Sequence, residues 1–207
     1  MVNGPNMQPA EALRRLREGN QRFVLGKLTH ASRVTPDYRT ELLKGQEPFA
    51  SILTCADSRV AVDHIFDVGL GEIFACQNAG NVLDDVTLGS IEYAAAHTGC
   101  PLLCVLGHTH CGAVKATIGV AHQPDAYESP NIDAIIRRML PAVLQTRTEG
   151  GSDDAWARRA ERRHVLNSCA QITQRSTLLA ERIAWGHFKI IGGLYDLATG
   201  EVEFLYL

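Results

Sequence analysis

The sequence predicts an α/β fold: a mostly parallel β-sheet flanked by helices, with an N-terminal helical arm before it and an edge strand at its C-terminal end. Three observations carry that expectation. Short apolar segments at 48–55, 72–76 and 101–108 alternate with stretches of helical character, and such alternation calls for parallel strands joined by crossover helices. Two further apolar segments, 188–196 and 201–207, are separated by the turn Ala198-Thr199-Gly200 and read as a last core strand followed by an edge strand. No internal repeat and no linker between two cores interrupts the chain. Residues 1–207 are therefore expected to form a single domain, with 1–47 as the helical arm and 48–207 as the α/β core.

The elements follow in order. From Pro9 to about residue 25, Ala10, Leu13, Leu16, Phe23 and Val24 lie largely at helical spacing among arginines and glutamates, the pattern of an amphipathic helix with proline in its first turn. The stretch 26–48 is polar and turn-rich, with a short helix expected at 37–44 that Gly45 stops. After the strands at 48–55 and 72–76, Asp84 or Asp85 opens a helix that Gly99 ends, and the strand 101–108 follows. Residues 121–131 read as a loop, and helices are expected over 132–144 and most of 153–185.

Composition limits the function. The chain is 45% hydrophobic and 21% charged, and its 207 residues suffice to bury roughly 70% of the unfolded surface without structural metal or disulfides. A net charge of −3 offers no basic footprint for nucleic acid or anionic lipid, which points to small molecules instead. No apolar run approaches the ~20 residues of a membrane span, and the first residues carry charges where a signal peptide has its apolar core, so a cytoplasmic location is expected. The six cysteines, at 55, 76, 100, 104, 111 and 169, are too sparse for a disulfide scaffold and read as buried thiols or metal ligands. Cys76, Cys100, Cys104 and Cys169 fall to core packing, and the basic run at 158–164 to a solvated helix face.

The chemistry gathers elsewhere. Cys55 ends one expected strand in C-A-D-S-R, while His108 and Cys111 end another in G-H-T-H-C-G. Functional groups in open α/β sheets collect beyond the carboxyl ends of strands, so these loops can converge. Two thiolates and an imidazole suit Zn²⁺, with a fourth position open in a catalytic site. The spacing alone fits two buried cysteines and a core histidine equally well. Asp57 and Arg59 favour the open metal site, because a carboxylate held by a guanidinium next to a ligand can accept a hydrogen bond from metal-held water.

The segments C-A-D-S-R-V (55–60), Q-N-A-G-N (77–81), H-T-H-C-G-A-V (108–114) and Y-D-L-A-T-G (195–200) resemble β-class carbonic anhydrases, and the resemblance runs from about residue 10 to the end. It implies one Zn²⁺ per chain held by Cys55, His108 and Cys111, with Asp57 and Arg59 as the catalytic pair that orients zinc-activated water. The implied reaction is reversible hydration of CO₂ to bicarbonate and a proton. For the substrate, the resemblance implies Gln46 reaching across a dimer interface, Phe74 and Ala79 as apolar pocket positions, and Gly112 offering its N–H to Asp57. It also implies a homodimer, possibly a tetramer or larger, in which the arm embraces a second subunit. The helix at 9–25, with no core of its own to cover, would gain its surface there.

Alternatives share the same residues: hydrolysis of COS or CS₂, or a non-catalytic zinc scaffold or bicarbonate sensor, which would leave Asp57 and Arg59 without a task. His64 is a better candidate for proton shuttling than His110, whose position between two ligands points it away from the metal. One departure concerns Gln77, where many relatives have Arg. Some relatives bind regulatory bicarbonate at positions matching Ile52, Gln77 and Tyr195, of which only the Tyr is kept here. A separate bicarbonate site is therefore not expected, and Asp57 or Arg59 should find a different neighbour.

Overall fold

The computed structural model describes residues 7–29, 33–125, 129–147 and 151–206. Five strands, β1 (Ala50–Cys55), β2 (Ile73–Asn78), β3 (Leu102–His108), β4 (Lys189–Tyr195) and β5 (Val202–Leu205), form one sheet in the order β2-β1-β3-β4-β5. The first four are parallel and β5 pairs antiparallel with β4 at the edge. Every residue of β1 and β3 is buried, as expected of central strands with helices on both faces. Along β3 the alternation is clean. Leu102, Cys104 and Leu106 pack with Leu16, Phe49 and Phe66 on one face, while Leu103 and Val105 pack with Ile91, Val165 and Ile172 on the other.

The helices are α1 (Pro9–Val24), α2 (Pro36–Glu41), α3 (Val62–Ile65), α4 (Asp85–His97), α5 (Gly112–His122), α6 (Pro130–Arg147), α7 (Asp153–Arg175) and α8 (Thr177–Ala184). Local chemistry sets several of their ends. Asp84 caps α4 by accepting from the Thr87 N–H at 2.7 Å, which satisfies one of the free donors of the first turn. Ser176 separates α7 from α8: it is extended, and its hydroxyl accepts from the Leu179 N–H at 3.1 Å to start the new helix. Sequence reasoning leaves 113–120 unassigned, and Gly112, Gly119 and the β-branched Val114, Thr117, Ile118 and Val120 give the stretch low helix propensity. Burial of Val114, Thr117, Ile118 and Ala121 supplies the stabilisation that propensity lacks. As a result the loop expected at 121–131 is shorter, since α5 runs to His122 and α6 begins at Pro130.

Sheet order also determines where a site can form. From β1 the chain steps to β2 on one side and then, through α4, returns to β3 on the other side of β1. The loops after β1 and β3 consequently leave the sheet in opposite directions, opening the crevice at which α/β sheets bind ligands.

The structure corrects the expectation that α1 has no core of its own. Ala12, Leu13 and Leu16 are buried in the cluster that includes Phe49, Phe66 and Leu102 of the same chain. Gly19 makes close contact possible, because a Cβ there would stand 1.8 Å from the Phe66 carbonyl oxygen. Buried Asn20 donates to the carbonyls of Ile65 at 3.2 Å and Gly200 at 2.9 Å, and its own oxygen accepts from the Val202 N–H at 2.9 Å. Arg15 pairs with Glu72 at 2.8 Å, and Arg22 pairs with buried Asp67. The helical arm is thus docked on its own domain, and its apolar stripe gives no argument for a second subunit. Truncating Leu16, fully buried beneath this helix, to Ala should cost ~2–5 kcal/mol. Urea unfolding would measure the loss, and a change below ~1 kcal/mol would mean that α1 contributes little to the core.

Candidate metal centre

Cys55, at the end of β1, His108, at the end of β3, and Cys111, which precedes α5, are all buried, and their Sγ and imidazole nitrogen atoms lie within 4.8 Å of one another. The turn between His108 and Cys111 has His110 at φ 57°, a left-handed conformation that is unusual for a residue with a side chain. This reversal brings Cys111 back beside His108 and leaves the His110 side chain exposed. His64 lies exposed on α3.

The donors fit a borderline-soft divalent cation. His108 Nδ1–H donates to the Thr109 carbonyl at 2.9 Å, which puts the free lone pair on Nε2. That atom is buried and has no hydrogen-bond partner among the described residues. An imidazole held through one nitrogen with the other bare is how a ligating histidine is usually presented. The two thiols lose a first proton readily. The Cys111 S–H donates to the resulting Cys55 thiolate, which, with smaller help from the Gly80 N–H, pulls Cys55 well below the usual thiol range. The second proton is held firmly, because a Cys111 thiolate would face that first anion in a buried place. A divalent cation between them removes this conflict, and two thiolates with one imidazole are a zinc ligand set.

Support comes from behind. Glu161 on α7 is 3% exposed and its Oε1 accepts from the Cys111 N–H at 3.0 Å. One turn further along, buried His164 donates through Nε2 to the Gly80 carbonyl at 2.9 Å, and the Gly80 N–H points at Cys55 Sγ at 3.3 Å. Gly80 is required on two counts: its φ is 72°, and a Cβ would stand 2.6 Å from the sulfur of Met139. Burial pushes the Glu161 carboxyl up and the His164 imidazole down. The sequence reading assigns the run 158–164 to solvent, and Arg158, Arg162 and Arg163 do lie there. Glu161 and His164 are the exceptions it misses.

Asp57 and Arg59 stand in the loop after Cys55 and bind each other. Arg59 donates to the carboxylate from Nε at 2.8 Å, Nη2 at 2.6 Å and its own backbone N–H at 3.0 Å. This guanidinium holds Asp57 well below the usual carboxylate range. A carboxylate has about four lone-pair directions. Among the described residues Arg59 takes two on Oδ1 and one on Oδ2, which leaves Oδ2 able to accept one more hydrogen.

Other expected site residues fare differently. Among the described residues no N–H of Gly112 bonds to Asp57, whose carboxylate accepts only from Arg59, while the N–H of the preceding Cys111 goes to Glu161. Ala79 is exposed beside Gly80. Phe74 is half-buried, packed against the core with its ring 6.2 Å from that of Tyr93. Gln46 lies exposed beside a cavity lined by Arg15, Tyr38 and Glu72 among others, none of them a donor residue. Ile52 and Tyr195 are buried in the core. Among the described residues Gln77 makes no hydrogen bond to the Asp57 or Arg59 side chains; its Nε2 donates to the backbone carbonyls of Cys55 at 3.1 Å and Val60 at 3.3 Å.

A sequence profile described as carbonic anhydrase matches residues 50–202, the span from β1 to the start of β5. Carbonic anhydrase 2 of Mycobacterium tuberculosis is 42% identical over 199 residues, covering 95% of this chain and 92% of that protein. A carbonic anhydrase of Mycolicibacterium smegmatis is 41% identical over 199 residues, covering 96% and 94%. A tetrameric β-carbonic anhydrase from the filamentous ascomycete Sordaria macrospora superposes with a TM-score of 0.75 at 21% identity, covering 84% of this chain and 88% of that one, and shares the fold. By profile, by identity over nearly its whole length and by fold, the chain belongs to the β-carbonic anhydrase family.

Proposed function

We propose that this protein is a carbonate dehydratase that hydrates CO₂ reversibly to bicarbonate and a proton, with one Zn²⁺ held by Cys55, His108 and Cys111. The observation that carries the reading is the meeting of three buried N/S donors with the Asp57–Arg59 pair in the adjoining loop, in a chain of this family. Zinc, when bound, lowers the pKa of a water molecule from 15.7 toward ~7 and so makes a nucleophile available at neutral pH.

The protein's own groups supply orientation. Asp57 is kept ionised by Arg59 and can only accept. Its spare position on Oδ2 takes the hydrogen of the attacking oxygen, turning that oxygen's lone pair toward the carbon of CO₂. Holding the angle matters as much as holding the charge, since a misplacement of about 1 Å can cost ~10²-fold in rate. Arg59 is about half exposed, so its charge is partly screened. Its contribution is the geometry of a three-point grip on one carboxylate, which two fewer bonds would leave free to swing.

Gln46, Phe74, Ala79 and Gly112 are proposed to shape the substrate's surroundings. Because Gln46 sits away from the donors of its own chain, it can serve a site only in another copy, which supports a homo-oligomer. The tetrameric relative from Sordaria macrospora favours the same reading. Among the described residues no helix is long and apolar enough to cross a membrane, and a cytoplasmic location is part of the proposal.

Two measurements test the assignment. Cys111→Ser should lose most of its zinc by metal analysis, while retention of a full equivalent per chain would show that the ligand set is wrong. Asp57→Asn should keep zinc yet hydrate CO₂ ~10²-fold or more slowly, the scale of an oriented acid–base or hydrogen-bonding group. Near-normal turnover would remove Asp57 from the mechanism.

A further inference from the structure

Cys55, Asp57 and Arg59 share one short loop, and its shape decides where the carboxylate stands relative to the donors. At its start, the Ala56 N–H donates to the Asn78 carbonyl at 2.9 Å, extending the β1–β2 ladder one residue past Cys55. At its end, the Val60 N–H donates back to the Asp57 carbonyl at 2.9 Å. Neither bond fixes the distance between the two ends. That is done by a side chain from the sheet edge: Gln77, opposite Thr54 in the β1–β2 register, donates from Nε2 to the Cys55 carbonyl at 3.1 Å and to the Val60 carbonyl at 3.3 Å. A carboxamide nitrogen has two hydrogens, so one atom can serve both acceptors.

We propose that Gln77 is a positioning residue, whose amide nitrogen joins the carbonyls of Cys55 and Val60, sets the span of the loop 55–60, and so places the Asp57–Arg59 pair against the Cys55, His108 and Cys111 donors. Its rate consequence rests on the reading of the protein as a CO₂ hydratase; the geometric part does not. Among the described residues the side chain bonds to neither Asp57 nor Arg59 but to the carbonyls on either side of them, so its action passes through the backbone. Gln77→Met keeps the length and removes the donor, Gln77→Glu puts an acceptor against two acceptors, and Gln77→Lys restores a donor able to reach both.

The test uses these three variants in the zinc-loaded full chain, with metal analysis and CO₂ hydration kinetics, and a parallel set loaded with Co²⁺ in place of zinc for visible spectroscopy. Gln77→Met and Gln77→Glu should keep one metal per chain, lose ~10-fold or more in kcat with KM little changed, and shift the cobalt bands, which report the placing of the Cys55 sulfur. Gln77→Lys should recover most of both readouts. Combined with Asp57→Asn, Gln77→Met should cost little further rate, since a residue acting through Asp57 has nothing left to position. Full additivity in that pair, a rate loss that merely tracks lost metal, or unchanged activity in Gln77→Met would each overturn the proposal. If the unaltered protein hydrates no CO₂, the functional reading falls by itself, and the cobalt spectra decide: bands unmoved in Gln77→Met would refute the clamp, and bands moved there and restored in Gln77→Lys would uphold it.

Discussion

Three side chains that each prefer a proton or a partner are held together out of water, and the rest of the structure is arranged around that conflict. Two thiols and a bare imidazole nitrogen within 4.8 Å repel a second negative charge and leave one buried lone pair without a donor. Such a cluster persists only if the backbone on either side resists relaxation. Helix α7 provides the resistance: Glu161 and His164, one turn apart, take hold of the Cys111 amide and the Gly80 carbonyl, so a single rigid element grips the loop after β3 and the turn after β2. Gly80 passes the grip on to Cys55 through its own N–H. Precision at the donors is thereby drawn from the most regular parts of the fold, as a preorganised site requires.

Charge is handled by separation. The Asp57–Arg59 pair lies at the outer lip, partly solvated, where ionisation of the carboxylate costs little. The thiols lie inward, where only a cation makes two thiolates tolerable. Glu161 and His164, buried behind the donors on α7, are driven by burial toward their neutral forms. Charged groups thus stand toward solvent, and conditionally charged and neutral ones are buried. Each is placed where its protonation state is cheap to maintain.

What the sequence made legible was whatever it encoded locally. The strands are short apolar runs bounded by turns, and Cys55, Asp57, Arg59, His108 and Cys111 are compact motifs at strand ends, so both could be read without a structure. Residues that work across long separations could not. Glu161 reaches an amide fifty residues earlier and His164 a carbonyl eighty-four residues earlier, and inside a run of arginines they look like surface. A signal was present: both fall in line with Ala157, Ala160, Val165 and Ser168, a small and apolar stripe that marks the buried face of α7. For α1 the stripe itself was plain, yet periodicity says only that a face is covered, not by what. Gln77 shows the same limit, since the loss of a cation there suggested a different neighbour for Asp57 or Arg59, whereas the partners of its amide nitrogen are main-chain carbonyls with no signature in sequence.

Asn20 carries a consequence for how the molecule comes into being. Its side chain bonds to Gly200 and Val202, residues 180 and 182 positions later. During synthesis α1 therefore exists long before the turn that completes the hydrogen bonds of its buried amide, and its row of Ala12, Leu13 and Leu16 stays uncovered until Phe49, Phe66 and Leu102 have emerged. Loop closure over such a separation comes late, and long-range pairing slows folding and lengthens exposure to aggregation. Until the turn before β5 forms, that buried amide is short of two of its three partners, so the helix is held by packing first and by hydrogen bonding only later.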